Sequence, residues 1–180
     1  MRLRIANCEL RIWAFTLCLG LLAGSASATT VPKMELPELV SASDSIVQGR
    51  VESVESRWEN DLAYTYVSVI VDEPLKGERR RALLIRQIGG KIGSLNVTVS
   101  GMPKFKARDQ VILFLKRRQD GTFDVVGLNQ GKYEILDNFA VANVSGITLV
   151  NPKTGQLTDA GFMDKAPLEA FKARIRGLVK

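Results

Sequence analysis

Tyr64-Thr65-Tyr66-Val67-Ser68-Val69-Ile70-Val71-Asp72-Glu73 is the stretch that decides the fold. Val67, Val69 and Val71 fall on one side, and Tyr64, Tyr66, Ser68 and Ile70 on the other. Period-two alternation of β-branched and aromatic residues is the pattern of a strand with one face on a core. Upstream, Ile46 to Glu55 also alternates, with Val47, Gly49 and Val51 sharing a face; Val54 breaks that parity, which predicts a bulge or bend. Glu59-Asn60-Asp61, between the two segments, reads as a turn. Downstream, Pro74-Leu75-Lys76-Gly77 is expected to end the strand, Glu78 to Arg81 to form a charged loop, and Leu83 to Ile88 to be a third strand.

The remaining segments extend this pattern. Gly89-Gly90-Lys91-Ile92-Gly93 reads as a flexible connection, and Leu95 to Val99 alternates. Val111 to Leu115 is continuously apolar, the sign of a strand buried on both faces. Gln119-Asp120-Gly121 is a hairpin turn, because Asp-Gly tolerates the positive φ such turns require. Phe123 to Gly127 and Tyr133 to Leu136 continue a meander, and Val141 to Val150 is expected to fold as a last hairpin about Asn143 to Gly146. Two helical pieces flank the strands. Glu38 to Ser43 reads as a short turn with Leu39 and Val40 inward. After Pro167, the apolar residues Leu168, Phe171, Ile175 and Leu178 recur at helical spacing and predict an amphipathic helix over about 167–178. The fold expected is mainly β: a small OB-like β-barrel, closed or partly open, with a short N-terminal helical turn and a C-terminal helix. No internal repeat or interdomain linker interrupts it, so residues 29–180 are expected to form a single domain.

The first 28 residues read as a cleavable signal peptide. Arg2, Arg4 and Arg11 form a basic lead, Ile12 to Ala23 is an apolar run too short to span a bilayer, and Ala26-Ser27-Ala28 is an A-x-A cleavage site of bacterial type. The expected location is periplasmic or secreted, with no membrane span after Ala28. Cleavage removes Cys8 and Cys18, the two cysteines of the chain, and the chain contains no histidine. His-dependent triads, thiol catalysis and His/Cys zinc sites are thereby excluded from the exported domain.

Other motifs carry little chemistry. Gly89 to Gly93 lacks the spacing of a phosphate loop. The carboxylate pairs Asp72 with Glu73 and Asp120 with Asp124 sit at turns or strand ends, where solvation accounts for them. No catalytic residue, cofactor or metal ligand is expected. The net charge of +6 is carried in part by two basic triplets, Arg79-Arg80-Arg81 and Lys116-Arg117-Arg118, the candidate contacts for an anionic polymer or acidic surface. Tyr64, Tyr66 and Trp58 are aromatics that could stack beside them. Trp58 reads first as a lid over the core, with an exposed interface anchor as the alternative. Met102 and Phe105, in Met102-Pro103-Lys104-Phe105, form a second candidate interface on a loop expected to be exposed.

Two resemblances bear on this reading. Ser43 to Gly77, from Ser43-Asp44-Ser45-Ile46-Val47 through Tyr66-Val67-Ser68-Val69 to Leu75-Lys76-Gly77, resembles the opening strands of the netrin-like (tissue inhibitor of metalloproteinases) OB-fold. The resemblance implies an OB barrel. In that family an amino-terminal cysteine chelates the protease zinc, and no residue here matches it. Gly89-Gly90, Gly101 to Phe105, Val111 to Leu115 and Val125 to Lys132 together resemble a group of small exported bacterial proteins of unknown function, some of which keep company with matrixin-like metalloproteases. The function expected is an exported, non-enzymatic binding module for a protein or envelope polymer. The alternatives are an inhibitor or accessory factor of an exported protease, and a binder of polyanions or single-stranded nucleic acid. An exported address argues against nucleic acid as the natural partner.

Overall fold

The computed structural model describes residues 30–145, 147–159 and 165–179; the expected signal peptide and Thr29 lie outside them. The elements are β1 (Thr30–Pro32), α1 (Leu36–Ala42), β2 (Ser45–Glu59), β3 (Leu62–Lys76), β4 (Ala82–Ile88), β5 (Gly90–Ile92), β6 (Leu95–Val97), β7 (Gln110–Arg117) and β8 (Phe123–Val125). A 3-10 turn (Leu128–Gly131) follows, then β9 (Lys132–Leu136), β10 (Phe139–Ala142), β11 (Thr148–Val150), β12 (Leu157–Asp159), β13 (Lys165–Pro167) and α2 (Leu168–Leu178).

The alternating segments pair as their patterns demand. β2 and β3 form a long antiparallel hairpin closed by Asn60 and Asp61, both at positive φ, the geometry of a two-residue turn that matches strand twist. Register shifts at Ile46/Val47, Gln48/Gly49 and Val51/Ser53 bend β2, as the broken parity at Val54 predicts. Gly49 makes the bend possible, since a Cβ there would lie 2.4 Å from the Ile70 carbonyl oxygen. β3 pairs with β4, β2 with β7, and β7 with β8. β8 then meets β4 through one parallel pair, Ile85 with Phe123, which closes a ring of five strands. Around the ring the strands run first, second, third, fifth, fourth in chain order, the Greek-key arrangement of an OB fold. The mainly β architecture, the ring, the short N-terminal helix and the C-terminal helix are those expected.

β7 is buried on both faces. Val111, Leu113 and Leu115 fill the ring with Val47, Val51, Val67, Val69, Leu83, Ile85 and Phe123. Ile112 and Phe114 point the other way, into a second core roofed by Leu39 and Val40 of α1 and by Leu168, Phe171 and Ile175 of α2. Phe114, Tyr133 and Phe171 pack there as a cluster, with ring centroids 4.5–6.4 Å apart. β9, β10 and β13 extend the sheet from β7 beneath this core. α2 is also clasped by charge. The Lys172 ammonium, on a side chain only 7% exposed, lies 2.7 Å from Glu73 and 2.8 Å from Glu169, and Arg176 pairs with Glu73 as well.

Four expectations are corrected. The Tyr64 to Glu73 strand ends later than expected, at Lys76, because Pro74 is absorbed into β3 opposite a register shift. The connection at Gly89 to Gly93 is itself a strand, β5, paired with β6. Val141 to Val150 does not fold as a hairpin. β10 stays with β9 and β13, whereas β11 joins β1 in parallel and β12 in a separate three-stranded sheet. That sheet has its own small core of Val144, Ile147 and Leu149 against Val31, which rewards the separation. Leu178 lies exposed at the end of α2, beyond the reach of the second core.

Phe114→Ala opens a cavity between ring and helices and should cost about 3–5 kcal/mol in denaturant unfolding. The clasp predicts an acid dependence. Hydrogen bonding from Lys172 holds the Glu73 carboxyl below its ordinary 4.5, burial opposes this, and Arg176 adds to the lowering. A value lowered by folding gives stabilisation that is complete above the unfolded value and fades as pH falls through the folded one. Wild type should exceed Glu73→Gln by about 1 kcal/mol at neutral pH, with the gap narrowing below pH 4.5.

Candidate binding surfaces

The β2–β3 hairpin runs past the ring, and its tip is where the aromatic candidates gather. Tyr64, Tyr66 and Leu62 share the outer face of β3, set by the same alternation that sends Val67 and Val69 inward. The Arg57 guanidinium lies over the Tyr66 ring at 4.0 Å and that of Arg86 over Tyr64 at 3.9 Å. Glu59 ties these pairs together. It accepts hydrogen bonds from the Tyr66 hydroxyl (2.6 Å), Arg86 Nη2 (2.8 Å) and Arg57 Nη2 (3.2 Å). The Tyr66 hydroxyl leads in holding the Glu59 carboxyl below its ordinary range, burial opposes, and Arg86 and Arg57 reinforce the lowering. This bracing fixes the tip turn and leaves its apolar side chains out. Trp58 is 49% exposed and Leu62 48%, so Trp58 is a surface residue and not the core lid first expected. The cause is length: β2 continues to Glu59, which carries Trp58 beyond the ring interior.

The opposite face of this hairpin is covered by β5 and β6. Gly90, at φ +140°, sits so close that a Cβ would lie 2.2 Å from Thr65 Oγ1 and 2.3 Å from Ser56 Oγ. These hydroxyls bond to each other at 2.8 Å, and Thr65 also donates to the Gly89 carbonyl. Between β5–β6 and the 99–106 loop runs an open groove of about 520 Å³. The Met102 to Phe105 loop along it is less exposed than expected. Pro103 is buried, Met102 and Phe105 are half-buried, and Phe105 packs against the ring core. Lys132, itself buried, holds this loop down. Its ammonium reaches the Lys104 carbonyl, Glu134 at 2.7 Å and the Phe105 ring at 4.9 Å.

Arg118 apart, which shares a cleft with Tyr64, the basic triplets do not meet the candidate aromatics. They meet each other. Gly77 packs against the Asp44 backbone, so the end of β3, the Arg79 to Arg81 loop, the start of β2 and the end of β7 share one end of the ring. Lys116 donates to Asp44 at 2.8 Å, Arg80 pairs with Glu78 at 2.6 Å, and the charge of Arg117 acts on Glu78. Arg79 and Arg81 are exposed and form no ion pair with a described residue. Arg118 leaves this cluster and pairs with Asp124 at 3.0 Å. Of the four carboxylates considered for catalysis three are engaged, Glu73 in the α2 clasp, Asp120 with Thr122 and Asp124 with Arg118, and Asp72 is exposed.

Arg57, Glu59 and Arg86, which organise the tip, escape a reading by sequence. Arg57 and Glu59 flank Trp58 and could have been suspected. Arg86 reaches them only through the β3–β4 register. Among the described residues no helix is long and apolar enough to cross a membrane. Gly90→Ala should cost about 1–3 kcal/mol, read from the denaturation midpoint, and should speed amide exchange in β5 and β6. Comparison with known families and with curated proteins finds no match for this chain.

Proposed function

We propose that this chain is an exported, non-enzymatic binding module that docks a partner protein through the tip of its long hairpin. One observation carries the reading: Trp58 and Leu62 stand exposed on either side of a tip turn that Glu59, Arg57, Arg86 and Tyr66 hold rigid. Large apolar side chains presented on a pre-ordered backbone are effective anchors, because little further ordering entropy is lost on binding. Export rests on the basic lead, apolar run and A-x-A site of residues 1–28. The non-enzymatic part rests on the residue types left after cleavage and on the engagement of Glu73, Asp120 and Asp124 in ion pairs and turns. An inhibitory or accessory role towards an exported protease is one form this docking could take, through the tip and without a chelating cysteine.

The basic end supports a second reading, an anionic envelope polymer or acidic surface as partner. Its observation is the convergence of Arg79, Arg80 and Arg81 with Lys116 and Arg117.

Affinity capture from the producing organism's envelope and culture fluid separates the two. With hairpin docking, a protein retained by wild type is lost from the Trp58→Ala/Leu62→Ser variant and survives high salt. Retention that is indifferent to that variant and falls away steeply with salt would favour the basic end instead. A partner held equally by both at any salt overturns both readings.

A further inference from the structure

β4 and β8 close the ring through a single residue pair and then part. Beyond Ile85 and Phe123 the two strands leave a cleft of about 290 Å³. Tyr64, Ile88 and Met102 give it apolar walls, and Arg86, Gln87 and Arg118 give it polar ones. Three buried polar atoms here have no hydrogen-bond partner among the described residues: Arg86 Nε, Gln87 Oε1 and Arg118 Nε, the last held only by a long ion pair to Asp120 at 3.8 Å. Each such atom costs free energy when buried unpaired, so their meeting in one cleft calls for a reason.

The free edge of β4 points the same way. Gly89 N–H donates to the Ala63 carbonyl, so antiparallel alternation turns the main-chain groups of Gln87 towards β3 and those of Ile88 towards the cleft. The pairing with β8 has already ended at Ile85, leaving Ile88 without a strand beside it.

Charge narrows the choice of ligand. Arg86 is neutralised by Glu59 at 2.8 Å, with Asp120 at 3.8 Å, and Arg118 by Asp124 at 3.0 Å. A free anion would face these carboxylates, and a cation would face the two guanidinium groups. What matches is a neutral group with carbonyl acceptors for the two Nε–H donors and an N–H donor for Gln87 Oε1. A peptide main chain supplies both at regular spacing and can also pair with the edge at Ile88.

We propose that the cleft between β4 and β8 binds an extended peptide segment of the partner protein, with an apolar side chain seated against Tyr64, Ile88 and Met102. This rests on the reading that the partner is a protein. Arg86 joins the two surfaces, since it lines the cleft and braces the hairpin tip through Glu59.

The test uses the 15N-labelled protein and blocked pentapeptides, acetyl-Ala-Ala-Xaa-Ala-Ala-amide with leucine, phenylalanine or alanine at the centre, and sodium acetate as an anion probe. Saturable shifts are expected at the Arg86 and Arg118 Nε–H, the Gln87 side-chain amide and the Ile88 main-chain N–H. Leucine at the centre should bind about tenfold tighter than alanine, the gain from burying the larger side chain. Met102→Trp, which fills the cleft, should weaken binding at least about tenfold, whereas Met102→Leu should leave it near wild type. If Met102→Trp does not fold, the comparison of central residues on wild type still decides. No shift at these groups at about 10 mM peptide overturns the proposal. Equal shifts with acetate overturn it in favour of an anion site. Because the peptides act without the partner, a Trp58-dependent capture with no peptide response rejects the cleft alone, and peptide binding without Trp58 dependence rejects the tip alone.

Discussion

Burial of one strand on both faces is the constraint from which the rest of this molecule follows. β7 sends Val111, Leu113 and Leu115 into the ring and Ile112 and Phe114 beneath the helices. The ring cannot close without β7, because it joins β2 to β8. The helices have no core without its other face. Each core alone is small, and the shared strand makes them one cooperative unit. α2 is held by the same arrangement, with Phe171 against Phe114 and Lys172 and Arg176 on Glu73 at the far end of β3.

With the core settled in this way, the long hairpin is free to extend beyond the ring. It is braced from two sides. On one face, Ser56 and Thr65 receive Gly90 so closely that no side chain fits. On the other, Glu59 gathers two guanidinium groups and a phenol. A two-stranded ribbon is marginal by itself in water, and these contacts account for its extension to Asn60 and Asp61 with Trp58 and Leu62 exposed. The cleft between β4 and β8 has a related origin. One pair of residues closes the ring, so the strands separate immediately after it and expose an edge beside the hairpin.

Much of the fold was legible because alternation is a local record of burial. Val67 and Val69 against Tyr64 and Tyr66, the unbroken run at β7, the broken parity at Val54 and the helical period after Pro167 all report how each segment meets a core. Boundaries and partners were less legible. Pro74 reads as a strand end, yet a register shift admits it. Val141 to Val150 reads as a hairpin, yet β11 finds Val31 and a core of its own. Of the site, Trp58, Tyr64 and Tyr66 were visible as aromatics, but their cationic partners were misassigned. Arg57 stacks on Tyr66 and Arg86 on Tyr64, and the triplets, Arg118 excepted, lie elsewhere.

The sequence by itself determined the inventory: a basic lead and apolar run that hold both cysteines, no histidine, and a chain whose alternation demands a β fold around a doubly buried strand. Those properties follow from residue type and period, which are local. Tertiary structure decided which residues act together. It brought Arg79 to Arg81 beside Lys116 and Arg117, placed Arg86 on Tyr64 and Glu59, and left Arg118 facing Gln87 across an open seam. Strand register and ring closure set those distances, and both depend on pairings between segments far apart in the chain.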